Sequence, residues 1–220
     1  ALATRLGYAE ADPTADIQGL DAGRKMAILA SIAFNSRVTF EDVITEGITH
    51  ISAKDIRYAR ELGCVIKLMG LARNTDSGIE VRVQPMLVPQ EHPLATVNDS
   101  YNAVFVKGDA VGDAMFYGRG AGEMPTASAI VGDVFDIVRN ILFNCTGRIS
   151  CTCYKNLPVK EAEDIESRFF MRLHVDERPG VLAGIPSVLP NNNVSIAQLI
   201  QRHKDGDLAE IVVVTSKVRE

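Results

Sequence analysis

Four carboxylates and one lysine fall within a short run near the start of the chain: Glu10, Asp12, Asp16, Asp21 and Lys25. Carboxylates in such a group hold an ammonium or a hydroxyl. A lysine amine among them can take a proton from an alcohol or return one to a carbonyl oxygen. Asp21 and Lys25 are four apart, so on a helix they share one face. Asp21 then sits in the positive first turn, where an anion is favoured. The bland alternative is a surface acid–lysine pair, which is common and weak. Glu10 and Asp16 on the preceding loop favour the sharper reading, a polar pocket in which several acids converge on one lysine.

The local sequence says how these groups are held. Asp12-Pro13 predicts a turn, because proline excludes the preceding residue from the helical region. Gly19 allows a flexible entry into a helix over 20–35, closed by Asn35-Ser36. The run Met26 to Phe34 is apolar nearly all round, which predicts a buried helix.

A second stretch with chemical potential is Gly118-Arg119-Gly120-Ala121-Gly122-Glu123-Met124-Pro125-Thr126-Ala127-Ser128-Ala129. Its glycines permit close backbone approach, and Pro125 starts a helix running to about Phe143. A glycine loop before a helix N-terminus can hold an anion or a cofactor; its bland alternative is a tight turn against a sheet.

Between these stretches the pattern is of strands. A short helical piece begins at Thr39, a strand or turn covers Gly47 to Ser52, and Ser52 caps a helix over 53–62 that Gly63 ends. Val65 to Arg73 and Ile79 to Met86 form a hairpin about the turn Asn74 to Gly78, after which Pro85, Pro89 and Pro93 interrupt the ladder. Asn102 to Gly108 and Asp113 to Gly118 form a second hairpin. Together they predict a helix-backed, mixed and largely antiparallel sheet, hence an α+β fold over residues 1–150.

Residues 151–167 read as a charged linker, and 168–220 change character. Strands at Phe169 to Val175, Val194 to Gln201 and Ala209 to Thr215 flank a helix opening at Asp176-Glu177-Arg178-Pro179-Gly180-Val181-Leu182. That strand–helix–strand–strand order resembles an ACT domain, a small ferredoxin-like module that binds amino acids, here stopping after its third strand. Asn191-Asn192-Asn193 occupies the corner where such modules contact ligands; a plain asparagine-rich turn is the alternative.

Composition narrows the classes. The net charge is −5 with no basic run, which argues against a nucleic-acid partner. No apolar run is long enough to span a membrane. Cys64, Cys145, Cys151 and Cys153 lack the paired spacing of a zinc site and predict buried thiols in a reducing cytoplasm, with no metal. His50, His92, His174 and His203 show no ligand or nucleophile spacing and receive no role.

Tyr8-Ala9-Glu10-Ala11-Asp12-Pro13 followed by Asp16, Gly19, Asp21 and Lys25 resembles the signature of homoserine dehydrogenases, and Gly120-Ala121-Gly122 with Pro125-Thr126-Ala127-Ser128-Ala129 resembles their second conserved stretch. The resemblance implies interconversion of L-homoserine and L-aspartate 4-semialdehyde with NAD or NADP, in the aspartate-derived route to threonine, methionine and isoleucine. By it Lys25 is the acid/base on the substrate oxygen, and Glu10 holds the substrate ammonium. Asp16, Asp21 and Thr126 line the substrate pocket, and Gly122 lies beside the nicotinamide. It also implies a homodimer or larger homo-oligomer built on the sheet, and L-threonine as the effector of the ACT-like part. The family's nucleotide-binding domain precedes the signature. No Gly-x-Gly-x-x-Gly between strand and helix occurs early here, so residues 1–220 are expected to be a fragment lacking that domain, inactive by itself. Two other readings stand beside this one: a non-catalytic amino-acid-binding regulatory protein, and a dehydrogenase of another small amino-acid aldehyde.

Overall fold

The alternation Ile79-Glu80-Val81-Arg82-Val83 decides the first core. Period-two spacing sends Ile79, Val81 and Val83 to one face, where each is fully buried. They pack against Ala27 and Ala30 of a helix and against Val38 and Val43 of the connection that follows it.

A computed structural model describes residues 12–145, 150–176, 188–189, 191–203 and 208–219. The chain enters through α1 (Thr14–Ile17) and α2 (Leu20–Phe34), then passes a 3-10 turn at Phe40–Asp42 into β1 (Ile44–Thr45). Helix α3 (Ala53–Glu61) leads into the long hairpin of β2 (Cys64–Thr75) and β3 (Gly78–Pro89). The hairpin of β4 (Tyr101–Gly108) and β5 (Gly112–Arg119) precedes helix α4 (Glu123–Leu142). The C-terminal part holds β6 (Glu166–Ser167), β7 (Phe170–Asp176), β8 (Ile196–His203), β9 (Leu208–Thr215) and β10 (Val218–Arg219).

Local signals explain most of these elements. Ser52 and Asp55 form a reciprocal capping box that starts α3, and Gly63 follows it at φ +70°. The hairpin of β2 and β3 keeps unbroken register from Cys64 opposite Pro89 to Thr75 opposite Gly78.

Five expectations change. First, α2 is not buried all round. Gly23, Ala27 and Ala30 face the core, while Ile28 and Ile32 are 61% and 63% exposed and Leu29 is also open; the helix has one sheet face to pack on and no second layer among the described residues. Second, Pro85 does not break β3. It sits opposite Leu68. Ile79 and Val83 direct their backbone groups away from β2, toward Pro158, Lys160 and Glu46, so the N–H that Pro85 lacks would point the same way. There β1, paired only at Arg82 and Val83, has ended, and proline is tolerated at an unpaired edge.

Third, the two hairpins do not share one sheet. Strands β1, β3 and β2 form one sheet in that order, and β4 with β5 forms another. Fourth, none of the four cysteines is buried: Cys145 and Cys151 are exposed, Cys64 and Cys153 intermediate. Helix α4 also begins at Glu123 rather than Pro125, which lies in the first turn where no intrahelical N–H is needed.

The segment after α4 packs on the first core. Lys155 N–H donates to the Asn35 carbonyl at 2.8 Å and Ile79 N–H to the Pro158 carbonyl at 2.8 Å. Leu157 N–H donates to buried Ser36 Oγ at 3.0 Å, and Leu157 and Val159 rest on the core. On the opposite face of β3, buried Glu80 and Arg82 pair at 3.1 Å, and Arg82 reaches Ser167 Oγ of β6 at 3.3 Å.

In the C-terminal sheet the order is β7, β9, β8, all antiparallel. Its middle strand buries Ala209, Ile211, Val212, Val213 and Val214. Most of the helix expected to open at Asp176–Leu182 lies outside the described residues. The asparagine corner is a turn: Asn193 has φ +58°, and the Asn192 side chain donates to the Val188 carbonyl.

One polar cluster joins this sheet to α3. Arg172 Nε donates to Asp55 Oδ1 at 2.8 Å and Nη1 to Glu210 Oε1 at 3.0 Å. Tyr58 OH donates to Glu210 Oε2 at 2.8 Å, Lys54 lies 3.5 Å away and His174 Nε2 3.0 Å from Oε1. Glu210 is only 5% exposed. Burial pushes its carboxyl up, but the hydrogen bonds from Tyr58, Arg172 and His174 and the charge of Lys54 outweigh that and bring it down to about 2.

Two outcomes follow. Ile79→Ala is expected to cost about 2–5 kcal/mol in urea unfolding, because it empties the centre of the core. A carboxyl lowered on folding contributes stability that is fully present above its ordinary value of 4.5 and lost as pH falls toward about 2. Stability measured from pH 5 to pH 2 should therefore fall less steeply in Glu210→Gln than in wild type, from a lower starting value.

Candidate active site

Helix α2 carries the candidate site at its entrance, and the backbone there is tightly specified. Gly19 takes φ +76° as the residue before the helix. A β-carbon on it would meet Val83 Cγ1 at 3.1 Å and Thr45 Cγ2 at 3.4 Å, so only glycine fits both the conformation and the space. The first helical turn then emerges from the sheet with Asp21 on it, and Lys25 follows one turn later.

Lys25 Nζ and Asp21 Oδ2 are 2.7 Å apart, with side chains 61% and 47% exposed. Lys25, Ile28, Leu29 and Ile32 follow helical spacing on the side turned away from the core. The amine thus stands at one end of an open apolar stripe and the carboxylate at the helix N-terminus. An ammonium-bearing alcohol could lay its charged end toward the acids and its carbon chain along the stripe.

The remaining acids are placed less completely. Asp16 lies exposed in α1 and makes no ion pair or side-chain hydrogen bond among the described residues. Its backbone carbonyl instead accepts from Gly19 N–H at 3.2 Å and helps close the corner. Asp12 accepts from the Thr14 hydroxyl at 2.5 Å and from Thr14 N–H at 3.0 Å. The hydroxyl and then the amide hold its carboxyl below the usual range. Glu10 lies outside the described residues. Convergence of several acids on Lys25 therefore reduces, among the described residues, to Asp21 alone.

Gly122 and Thr126 come together at the start of α4. Gly122 precedes the helix at φ +118°, and its carbonyl accepts both Thr126 N–H at 3.2 Å and Thr126 Oγ1 at 2.9 Å. The Thr126 hydroxyl is thereby committed to the backbone. No hydrogen bond or ion pair among the described residues links this pair to Asp21 or Lys25. Among the described residues the Glu123 and Met124 N–H groups make no hydrogen bond, beside a residue without a side chain, an arrangement that suits the carboxamide or phosphate edge of a cofactor.

The cluster of Asp55, Arg172 and Glu210 is the concentration of charge that pattern reading passed over, including the bond from His174. Its signal was present: Arg172 interrupts Phe169-Phe170-Met171 and Leu173, and Glu210 interrupts Leu208-Ala209 and Ile211-Val212-Val213-Val214. A charge inside an apolar strand calls for a buried partner, but its partner on α3 is more than a hundred residues away.

Comparison with known proteins bears on the same two stretches. The homoserine dehydrogenase family profile matches residues 1–135. A homoserine dehydrogenase of Bacillus subtilis is 44% identical over 217 residues, 98% of this chain and 50% of its own length. That of Corynebacterium glutamicum is 46% identical over 223 residues, 99% of this chain and 50% of its own. Among solved structures, a homoserine dehydrogenase from Thiobacillus denitrificans superposes with a TM-score of 0.89 at 42% identity, covering 99% of this chain and 51% of that one. The chain spans about half the length of the curated relatives it matches. With the Asp21–Lys25 helix and the Gly122–Thr126 turn both inside the matched residues, the chain belongs to the homoserine dehydrogenase family.

Proposed function

We propose that this chain supplies the substrate-binding and proton-transferring part of an oxidoreductase that interconverts L-homoserine and L-aspartate 4-semialdehyde. The observation that carries the reading is the Asp21–Lys25 pair at 2.7 Å on the open face of α2. In the oxidative direction the substrate's C–H bond gives up a hydride and its O–H bond gives up a proton, leaving the aldehyde. Lys25 Nζ, as the free amine, takes the proton; Asp21 fixes the direction of that amine and balances the ammonium it becomes. Glu10 and Asp16 bind the substrate's own ammonium group, and Thr126 lines the pocket.

NAD or NADP, when bound, supplies the hydride acceptor. Gly122 and the first N–H groups of α4 fit its nicotinamide end. The described residues contain no parallel strand–glycine loop–helix unit that could hold the rest of a dinucleotide, and we assign that task to protein outside Ala1–Glu220. The apolar stripe of α2 and the outward apolar side chains of α4, a helix with no buried residue, are surfaces such a part would cover. A homodimer built on the strands, an ACT module over residues 168–220 that takes L-threonine, a domain boundary within 151–167, and action in the cytoplasm complete the reading. Its support is the family membership and the strand order of the C-terminal sheet. No helix among the described residues is long and apolar enough to cross a membrane.

The test uses the complete open reading frame that encodes these residues. Homoserine-dependent reduction of NAD or NADP is expected in wild type, and Lys25→Ala should lower it by about a hundredfold or more. The same substitution should change unfolding free energy by no more than about 0.5 kcal/mol, since both partners are exposed and an i,i+4 surface pair contributes little. Activity surviving in the folded variant removes Lys25 from proton transfer; a folded wild type without activity sets the reading aside.

A further inference from the structure

The corner that carries Asp16 and delivers Asp21 and Lys25 rests on β3 at Gly19 and on the loop 46–48. Ile48 N–H donates to the Ile17 carbonyl at 2.9 Å. Gly47 lies so close beneath that a β-carbon there would come within 2.4 Å of the Ile17 oxygen and 2.6 Å of Gln18 Cα. The same loop is tied to the sheet by Glu46 N–H, which donates to the Val83 carbonyl at 2.7 Å. Any displacement of residues 46–48 must therefore move the α1–α2 corner or break these contacts.

The far end of this loop is held from the C-terminal sheet. Ile51 N–H donates back to the Ile48 carbonyl, and the next residue, Ser52, is the cap of α3. Asp55 divides its two oxygens. Oδ2 accepts from Ser52 N–H at 2.8 Å and Ser52 Oγ at 2.6 Å, while Oδ1 accepts from Arg172 Nε at 2.8 Å. Arg172 Nη2 lies 3.5 Å from Ser52 Oγ, and Nη1 bonds Glu210 at 3.0 Å. One guanidinium thus grips both members of the capping box and a buried carboxylate of β9. Its rigid planar fork reaches three acceptors in fixed directions, which a single ammonium cannot do.

We propose that Arg172 is a positioning residue for the Asp21–Lys25 site, setting the α1–α2 corner through the Ser52–Asp55 cap and the 46–51 loop. The inference rests on the reading of Asp21 and Lys25 given above. It makes the placement of the C-terminal sheet a determinant of substrate binding: Tyr58 and Lys54 also tie α3 to Glu210, but Arg172 is the member of the cluster that reaches the Ser52–Asp55 cap itself, so a ligand that shifts β7 acts on the corner through it. Among the described residues Arg172 bonds Asp55, Glu210 and Ser52 and none of Asp21, Lys25, Gly122 and Thr126; its effect is on geometry.

Amide hydrogen exchange tests it, on the complete protein, in Arg172→Met and in Asp55→Asn. The first keeps an apolar stem on β7; the second leaves β7 and β9 untouched and keeps a cap acceptor. Both should speed exchange in peptides covering 44–52 and 14–22 by about fivefold, with 64–89 unchanged, and Arg172→Lys should fall between wild type and Arg172→Met. In the homoserine assay, KM should rise by about the same factor while kcat stays within about twofold. Unchanged exchange at 44–52 and 14–22 in both variants overturns the proposal, as does acceleration spread equally over 64–89, which would mark plain loss of stability. Exchange requires no turnover, so it decides this proposal separately from the activity on which the homoserine assay depends.

Discussion

The contact between Ile79, Val81 and Val83 and the small residues of α2 is the constraint on which the rest depends. Ala27 and Ala30 bring the helix axis close to the strand, and Gly19 lets the chain enter that helix through space that no side chain could share. Once one face of α2 is spent on the sheet, its opposite face is fixed by the helical repeat. Lys25, Ile28, Leu29 and Ile32 must then point outward together. The chemistry of the site is a consequence of where the helix is pinned. The Asp21–Lys25 attraction contributes little to holding it there.

That division explains which parts of the sequence were readable. Asp21 with Lys25, Ser52 as the cap of α3, and the hairpin of β2 and β3 are all local: their partners lie within a few residues, and spacing or turn chemistry reveals them. The apolar run of α2 misled because periodicity says which side chains are apolar, not whether a second layer covers them. Burial all round was inferred from composition, whereas Ile28 and Ile32 lie open. Pro85 misled for a related reason. The rule that proline breaks a ladder applies to strands paired on both sides, and only the tertiary pairing shows that β1 ends opposite Val83, before Pro85.

The pocket expected from Glu10, Asp16 and Asp21 was legible as a motif and is only partly visible as geometry. Asp21 meets Lys25, Asp16 stands apart in α1 with its backbone closing the corner, and the described residues leave the Gly122–Thr126 turn unconnected to either. A conserved-looking signature records which groups a reaction needs. Their convergence is a matter of tertiary placement, and what the described residues bring together is Asp21 with Lys25 at one end of the open apolar stripe of α2.

The joint between α3 and the C-terminal sheet is made of charge, and the choice has physical consequences. An apolar joint of that size would gain from burial however its two sides were rotated, since hydrophobic contact is non-directional. The cluster of Asp55, Arg172, Glu210 and Tyr58 is satisfied in one arrangement only, because an unpaired buried carboxylate is costly. A helix and a sheet joined in this way hold one relative position while the cluster is intact. If they separate, each charged group can be hydrated, which an apolar face cannot match. Directional bonding at the joint therefore combines a defined placement with the capacity to release, and the loop from Ser52 back to Ile48 carries that placement to the corner where Asp21 and Lys25 begin.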